Sequence, residues 1–138
     1  MNAEPAGTNA ANFGGKYTVA TKGVNSVTLV GNLGSDPQLR YTQRNVAVCN
    51  ISLATSEVYK DQNGKKVEET EWHKVVVWGK KAEVVAQFRA SGDQLYVRGK
   101  NKTRKWTDEN GQDHYVTEVI VDQNGDIQLL GGKNPQSV

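Results

Sequence analysis

The sequence has little of several features that would define a class of protein at once. Its one cysteine, Cys49, excludes an internal disulfide framework and fits a reducing compartment. Seventeen Lys and Arg against fifteen Asp and Glu leave a formal charge of only +2, which excludes a simple polybasic protein and an acidic disordered chain. No window approaches the ~18 unbroken apolar residues that a membrane helix needs. The 138 residues suit one domain plus a tail.

The apolar residues that are present favour strands. Eighteen Val and three Ile stand against seven Leu and one Met. Branched side chains that are stiff at χ1 suit a pleated surface better than a helix. The composition therefore predicts a mostly β domain.

The chain divides into three parts. Residues 1–22 offer little apolar surface and are predicted to be a disordered N-terminal extension. They lack the apolar core of a signal peptide, and residues 1–15 contain no Arg, which argues against a mitochondrial presequence. Residues 23–131 carry the strand signals and form the predicted domain, and residues 132–138 form a short C-terminal tail.

Apolar periodicity predicts six strands, at residues 24–33, 46–59, 72–78, 95–106, 113–122 and 127–130. Between strands two and three lies a polar hairpin-type loop centred on Asn63-Gly64, and residues 108–111 form a turn. A parity change near Cys49 indicates a bulge or burial on both faces. Helical spacing at residues 80–90 places one helix between strands three and four, with Gly92 as its C-cap. This is the element order of a five-stranded OB-fold Greek-key barrel, although an SH3-like barrel or another α+β sheet would also suit the bare pattern.

Two strands combine aromatic and basic side chains on one face. Alternation puts Trp72, Lys74, Val76 and Trp78 on the same side of the third strand. On the fourth, one face carries four cations between two aromatics, and residues 98–105 hold five positive charges and no acid. Bases stack on aromatic rings while Lys and Arg meet phosphates, so the pattern favours binding of a nucleic-acid strand over ordinary packing or a solvated edge strand. The fourth-strand face reads Tyr96, Arg98, Lys100, Lys102, Arg104, Trp106.

Four blocks resemble the bacterial single-stranded DNA-binding proteins (SSB): GVNSVTLVGNLGSDPQLRY (23–41), NISLATSE (50–57), TEWHKVVVWGKKAEVVAQF (70–88) and KTRKWTD (102–108). The resemblance runs from residue 23 to about residue 133. It implies an OB barrel assembled as a homotetramer, which binds single-stranded DNA without sequence preference and without catalysis, in replication, recombination and repair. A cytoplasmic, nucleoid-associated protein is expected. The alternative is an OB-fold RNA-binding or primosome-type accessory module.

The resemblance also assigns residues one at a time. It implies that DNA stacks on Trp72, Trp78 and Trp106, all of which the alternation identifies independently. At Trp78 the family usually has Phe. It adds Tyr59, where the family typically has Trp, and Phe88 at a less central position. It implies that His73 lies near the subunit interface. The phosphate-binding candidates are Lys60, Lys74, Lys80, Arg98, Lys100, Lys102, Arg104 and Lys105.

No cofactor or metal is expected. The two histidines and one cysteine show no metal-ligand spacing. Glu68, Glu69 and Glu71 lie together in a polar loop, whereas a two-metal nuclease needs carboxylates from several elements. Many relatives continue into a linker with an acidic tip ending in Pro-Phe that recruits replication and repair proteins. Replication and repair proteins stay candidate partners, although the sequence, which ends at Val138, has no such tip.

Overall fold

The computed structural model describes residues 22–131 and two short segments before them, residues 12–13 and 16–17. Those segments form β1 (Asn12–Phe13) and β2 (Lys16–Tyr17), which pair antiparallel. Apart from those segments, residues 1–21 and 132–138 lie outside the described residues. The boundaries of the predicted extension (1–22) and tail (132–138) therefore stay a prediction. In the described part of the chain, no helix is long and apolar enough to cross a membrane.

Seven further strands and one helix make up the described domain. The strands are β3 (Val27–Leu33), β4 (Gln38–Tyr41), β5 (Ala47–Lys60), β6 (Lys66–Trp78), β7 (Gln94–Thr107), β8 (Asp113–Val121) and β9 (Asp126–Leu130). The helix α1 (Lys80–Phe88) lies between β6 and β7. The strand β4 was not predicted from the sequence. The predicted third strand, residues 72–78, is six residues shorter than β6, because the polar residues 66–71 belong to a strand that extends beyond the core.

Five of these strands close a barrel. Its order is β3-β5-β6-β8-β7, and β7 pairs back with β3. The β6–β8 pairing is parallel and the others are antiparallel. With the helix between the third and fourth barrel strands, this is the predicted OB-fold, and the prediction is confirmed. β4 and β9 extend the sheet on β5 and β7.

One alternation runs through the whole barrel. Every strand residue in the buried core cluster has an odd number, from Leu33 through Cys49 and Val77 to Val97 and Val121. Because neighbours on a strand point to opposite faces, the even-numbered residues of the same strands point outward. We call the even-numbered residues 48–54 of β5, 72–78 of β6, 116–120 of β8 and 100–106 of β7 the outer wall.

The parity change predicted near Cys49 is burial on both faces. The β5–β6 register is continuous from Val48↔Trp78 to Lys60↔Lys66, which leaves no room for a bulge between them. Val48 points outward and is nevertheless fully buried, while Cys49 faces the core. Burial raises the pKa of the Cys49 thiol to about 11.

The helix ends earlier than predicted, at Phe88. Arg89 turns to extended backbone at the C-cap, and its Nη1 donates to the carbonyl oxygen of Leu130 at 3.0 Å, which ties the helix end to β9. Gly92 is therefore not the C-cap. It lies in the following turn at φ 90°, where its N–H donates to the carbonyl of Leu33.

Two inward-facing glycines lie where strands approach closely at the barrel's closure. A Cβ on Gly31 would collide with the carbonyl oxygen of Ala54, and one on Gly99 with the carbonyl oxygen of Ile120. Gly99 is the last residue of β7 that pairs with β3, and the pairing of β7 with β8 begins at the next residue, Lys100. Backbone has to move to accept a side chain at either position.

We expect Gly99→Ala to lower the free energy of unfolding by at least about 2 kcal/mol, because the clash is with backbone rather than with a flexible side chain. Urea denaturation at one fixed protein concentration measures this. Gly23→Ala is the matched control, since no atom lies within 4 Å of a Cβ there, and it should change the value by less than about 0.5 kcal/mol. Equal values for the two variants would contradict the close-approach argument.

Candidate nucleic-acid interface

The outer wall carries three exposed tryptophans. Trp72 and Trp78 lie on β6 and Trp106 on β7, with 58%, 37% and 47% of their surface exposed. All three have even numbers, so the alternation read from the sequence puts them on the correct face. Indole side chains this exposed to solvent are unusual on a small barrel, where large apolar side chains are ordinarily needed in the hydrophobic core.

The strands that carry these rings are not neighbours. β8 lies between β6 and β7, and it adds its own even-numbered residues to the wall. Among these is Glu118, only 8% exposed, whose carboxylate accepts hydrogen bonds from Arg104 at 3.1 and 3.4 Å. Sequence reasoning missed this acid, because strand order is set by distant parts of the chain.

A groove of about 440 Å³ runs across the middle of the wall. Its apolar lining is Val76, Trp78 and Ile120, and its polar lining is Arg40, Asn50, Lys102, Arg104 and Glu118. The groove thus combines a flat ring, three cations and one acid. Such a surface can hold a flat apolar ring while a neighbouring anion meets the cations.

Trp72 and Trp106 are each held against another part of the protein. The six-membered ring of Trp72 lies close to Gly34, where a Cβ would collide with the indole. Trp106 is stacked on His114, with ring centroids 4.5 Å apart and an interplanar angle of 20°. Alternation along the strands does not identify Gly34 or His114 as neighbours of these rings. His114 could have been predicted from the sequence, because a hairpin across the 108–111 turn pairs residue 114 with residue 106.

The basic segment 98–105 is largely ion-paired. Arg98 makes a bidentate contact with one carboxylate oxygen of Asp126 at 2.6 and 2.8 Å. Lys100 lies 3.8 Å from an oxygen of Asp122. Lys105 points to the face opposite the outer wall. It pairs with Asp113 on β8 at 3.7 Å, and Arg104 pairs with Glu118.

Two wall cations keep their charge uncompensated. Within residues 22–131, Lys74 and Lys102 form no ion pair, in contrast to the other cations of the wall. Lys102 lies opposite Glu118 in the β7–β8 register, but the Glu118 oxygens are engaged by Arg104. These two lysines are thus the most available positive charges on the wall.

The remaining predicted site residues lie away from the wall. Tyr59 is on the far part of β5, on the face opposite Trp72, and partial desolvation with the carboxylates of Glu69 and Glu57 raises its pKa. Phe88 is the partly buried last residue of α1, and Lys60 is at the end of the β5–β6 hairpin. Lys80 opens α1 and pairs with Glu83 at 3.7 Å.

His73 points to the inner side of β6 and is half-buried. Its Nε2 lies 2.9 Å from the Thr55 hydroxyl. Among the described residues, no group of three or more His, Cys, Asp or Glu is arranged to hold a metal ion, and Glu68 lies on the opposite face of the hairpin from Glu69 and Glu71.

The closed barrel and the aromatic, basic wall define an OB-fold binding module. The single-strand binding protein family model matches residues 24–130. The chain therefore belongs to the single-strand binding protein family. Among solved structures, it is similar to a Plasmodium falciparum SSB in complex with ssDNA, with 31% sequence identity and a TM-score of 0.73, covering 80% of this chain and 98% of that one.

The turn that precedes His114 has a pH-sensitive carboxylate. The hydrogen bond from His114 and the backbone N–H groups of Gln112 and Asn110 hold the pKa of Asp108 below its usual value. A lowered folded-state pKa stabilises the fold above the ordinary Asp value of about 3.9, and this stabilisation is lost as the pH falls through the lowered pKa.

We expect the melting temperature of Asp108→Ala to fall below the parent's by an amount that is largest above pH ~4 and shrinks at lower pH. Thermal unfolding of both proteins between pH 3 and 7 measures the difference. Glu109→Ala, in the same turn, removes the same charge and should show no such pH trend. A constant difference between parent and Asp108→Ala would contradict the electrostatic role.

Proposed function

We propose that this protein binds single-stranded DNA without sequence preference and without catalysing a reaction on it. The observation that carries the proposal is the outer wall, where three exposed indoles alternate with lysines and arginines on a closed OB barrel. Membership of the single-strand binding protein family and the similarity to an SSB solved with ssDNA support it.

Stacking is the first part of the proposed mechanism. Every base has a π-face, so a strand laid on Trp72, Trp78 and Trp106 can stack regardless of its sequence. His114 covers one face of the Trp106 indole, which leaves the opposite face for a base. Each stacked base contributes ~1–3 kcal/mol by alanine substitution.

Phosphate contacts are the second part. Lys74 and Lys102 can meet phosphates directly, because no acid of the described chain compensates them. Arg104 can bind a phosphate with its free N–H groups while Glu118 keeps the guanidinium in place. Binding releases counterions from the strand and therefore weakens with salt. Lys60, Lys80, Arg98, Lys100 and Lys105 extend the proposed phosphate set, and Tyr59 and Phe88 extend the stacking set.

Assembly into a homotetramer is proposed together with the binding. Four walls in one particle let a single strand pass from one to the next at high effective concentration. β3 leaves its edge unpaired before Asn32, where its pairing with β5 begins, and a groove of about 540 Å³ lies beside it against the β5–β6 hairpin. His73 lies next to this region through its contact with Thr55, which is consistent with a place near a subunit interface.

The proposed role is protection of single strands in replication, recombination and repair, with the protein associated with the nucleoid. An RNA-binding or primosome-type module that uses the same wall is the other candidate. Competition between oligo(dT) and oligo(U) separates the two, because RNA readers exploit the 2′-OH. Preference for oligo(U) would favour the RNA-binding or primosome-type module. Cleavage of labelled DNA in the presence of Mg²⁺ would contradict the proposal that the protein catalyses no reaction on DNA.

Trp72→Ala and Trp106→Ala should each weaken binding of poly(dT) by at least ~1 kcal/mol, because each removes one stacking platform. Fluorescence titration at fixed salt, with circular dichroism as the check on folding, measures this. Tyr115→Ala is the matched control: Tyr115 is 69% exposed on β8, but its odd number puts it on the opposite face. Parent-like affinity in both tryptophan variants would contradict the site.

Lys102→Gln should lower the slope of log K against log [salt] by about 0.7, the value expected when one phosphate contact to a single strand is lost. Arg98→Gln should change the slope less, since Asp126 already holds its guanidinium. Titrations of oligo(dT) at four or more salt concentrations give both slopes. A larger change for Arg98→Gln would reverse the ranking of the cations.

Sedimentation equilibrium should give a particle of roughly 60 kDa, four chains, with an isologous interface. The measurement is made over a tenfold range of protein concentration. A monomer that is independent of concentration would contradict the proposed assembly.

A further inference from the structure

A chain of contacts runs from the β7–β8 turn to the exposed indole of Trp106. The imidazole of His114 lies flat against this indole, with centroids 4.5 Å apart. Its Nε2 is 2.7 Å from Oδ2 of Asp108. The other carboxylate oxygen of Asp108, Oδ1, accepts the backbone N–H groups of Asn110 and Gln112, both at 2.9 Å.

Each contact in this chain restricts the next one. Two backbone hydrogen bonds fix the carboxylate in the turn, and the carboxylate fixes the plane of the imidazole. Stacked aromatic pairs prefer a defined geometry, so the imidazole in turn limits the rotation of an indole that is otherwise half in solvent. A free tryptophan on the surface would have to be ordered when it binds a ligand, and a ring that is already held avoids this cost.

We propose that His114 and Asp108 are positioning residues for Trp106, holding its indole with one face covered and the other presented to a base. The proposal rests on the proposed function, since it concerns how one stacking platform of that wall is prepared. Neither residue needs to touch the strand for this role.

The charged groups around the His114 imidazole explain why position 108 has a carboxylate. Asp108 faces it from the turn, and Arg104 shares the same face of β7 but is held by Glu118. Lys105 and Asp113 point to the other face. A carboxylate can accept from Nε2–H whether the imidazole is neutral or protonated, and so keeps the ring in place in both states.

An asparagine at position 108 would not do this. Its single oxygen can accept either from the turn N–H groups or from a protonated imidazole, and its NH₂ group would then face another N–H. Asp108→Asn should therefore work best when the imidazole is neutral. This difference gives a readout that a purely structural role for the turn would not produce.

The test is a double-mutant cycle on the binding of oligo(dT), with all variants checked for assembly and folding. His114→Ala should weaken binding about 2- to 10-fold, the range for losing one aromatic pair, and His114→Phe should recover most of the loss. In a Trp106→Ala background, His114→Ala should have almost no further effect. Tyr115→Ala, the neighbouring residue on the opposite face, should give the same small factor in both backgrounds.

Two further measurements separate the parts of the proposal. In a Trp72→Phe, Trp78→Phe background, where Trp106 is the remaining tryptophan, His114→Ala should lower the fluorescence anisotropy of Trp106 without DNA. The affinity of Asp108→Asn relative to the parent should fall further at pH 5.5 than at pH 8, across the range in which histidine side chains ordinarily change charge. In His114→Phe, Asp108→Asn should lose this pH dependence.

The outcomes are distinguishable. If the parent binds no oligo(dT), the proposed function fails and this proposal fails with it. The parent may bind while His114→Ala weakens binding by the same factor with and without Trp106. In that case any effect of His114 does not pass through Trp106, and only the positioning role is overturned. An unchanged Trp106 anisotropy in His114→Ala would overturn it as well.

Discussion

The two-residue alternation of the barrel strands is the constraint on which the rest of the structure depends. Odd-numbered residues fill the core in every barrel strand, and the β5–β6 register continues without slipping for thirteen pairs. A shift by one residue would turn the valines outward and the tryptophans inward. The core and the outer wall are therefore specified by the same pattern, and neither can change register alone. Gly31 and Gly99 make this closure sterically feasible where the strands cross.

Much of the fold and part of the site could be predicted from the sequence, and the division has a physical cause. Periodicity is local, so alternation placed Trp72, Lys74 and Trp78 on one face, and helical spacing put the helix after β6. The insertion of β8 between β6 and β7 is not local, and with it came Glu118. The outer part of β6 was missed because residues 66–71 contain one apolar side chain, the partly buried Val67, and give no alternating pattern. Their pairing with β5 makes them a strand. Family resemblance supplied Tyr59, Phe88 and the interface role of His73, none of which alternation could identify.

The charge of the wall differs from what the sequence suggests. Five cations in eight residues look like a continuous positive strip, but strands β8 and β9 and the loop between them bring acids to most of them. Exposed pairs of this kind contribute little to stability, so their main effect is on where positive potential remains. It remains at Lys74 and Lys102, on either side of the Arg104–Glu118 pair.

The buried thiol of Cys49 has a consequence for anyone who works with this protein. Its side chain is fully enclosed in the core, and burial raises its pKa, so the thiol stays protonated at ordinary pH. Because the thiolate is the reactive form, we expect thiol-modifying reagents not to react with Cys49 in the folded state. Because the chain has no other cysteine, the native protein behaves as a cysteine-free background. A single cysteine introduced at an exposed position, such as 115, would be a unique attachment point for a fluorophore, with no need to remove a residue from the core.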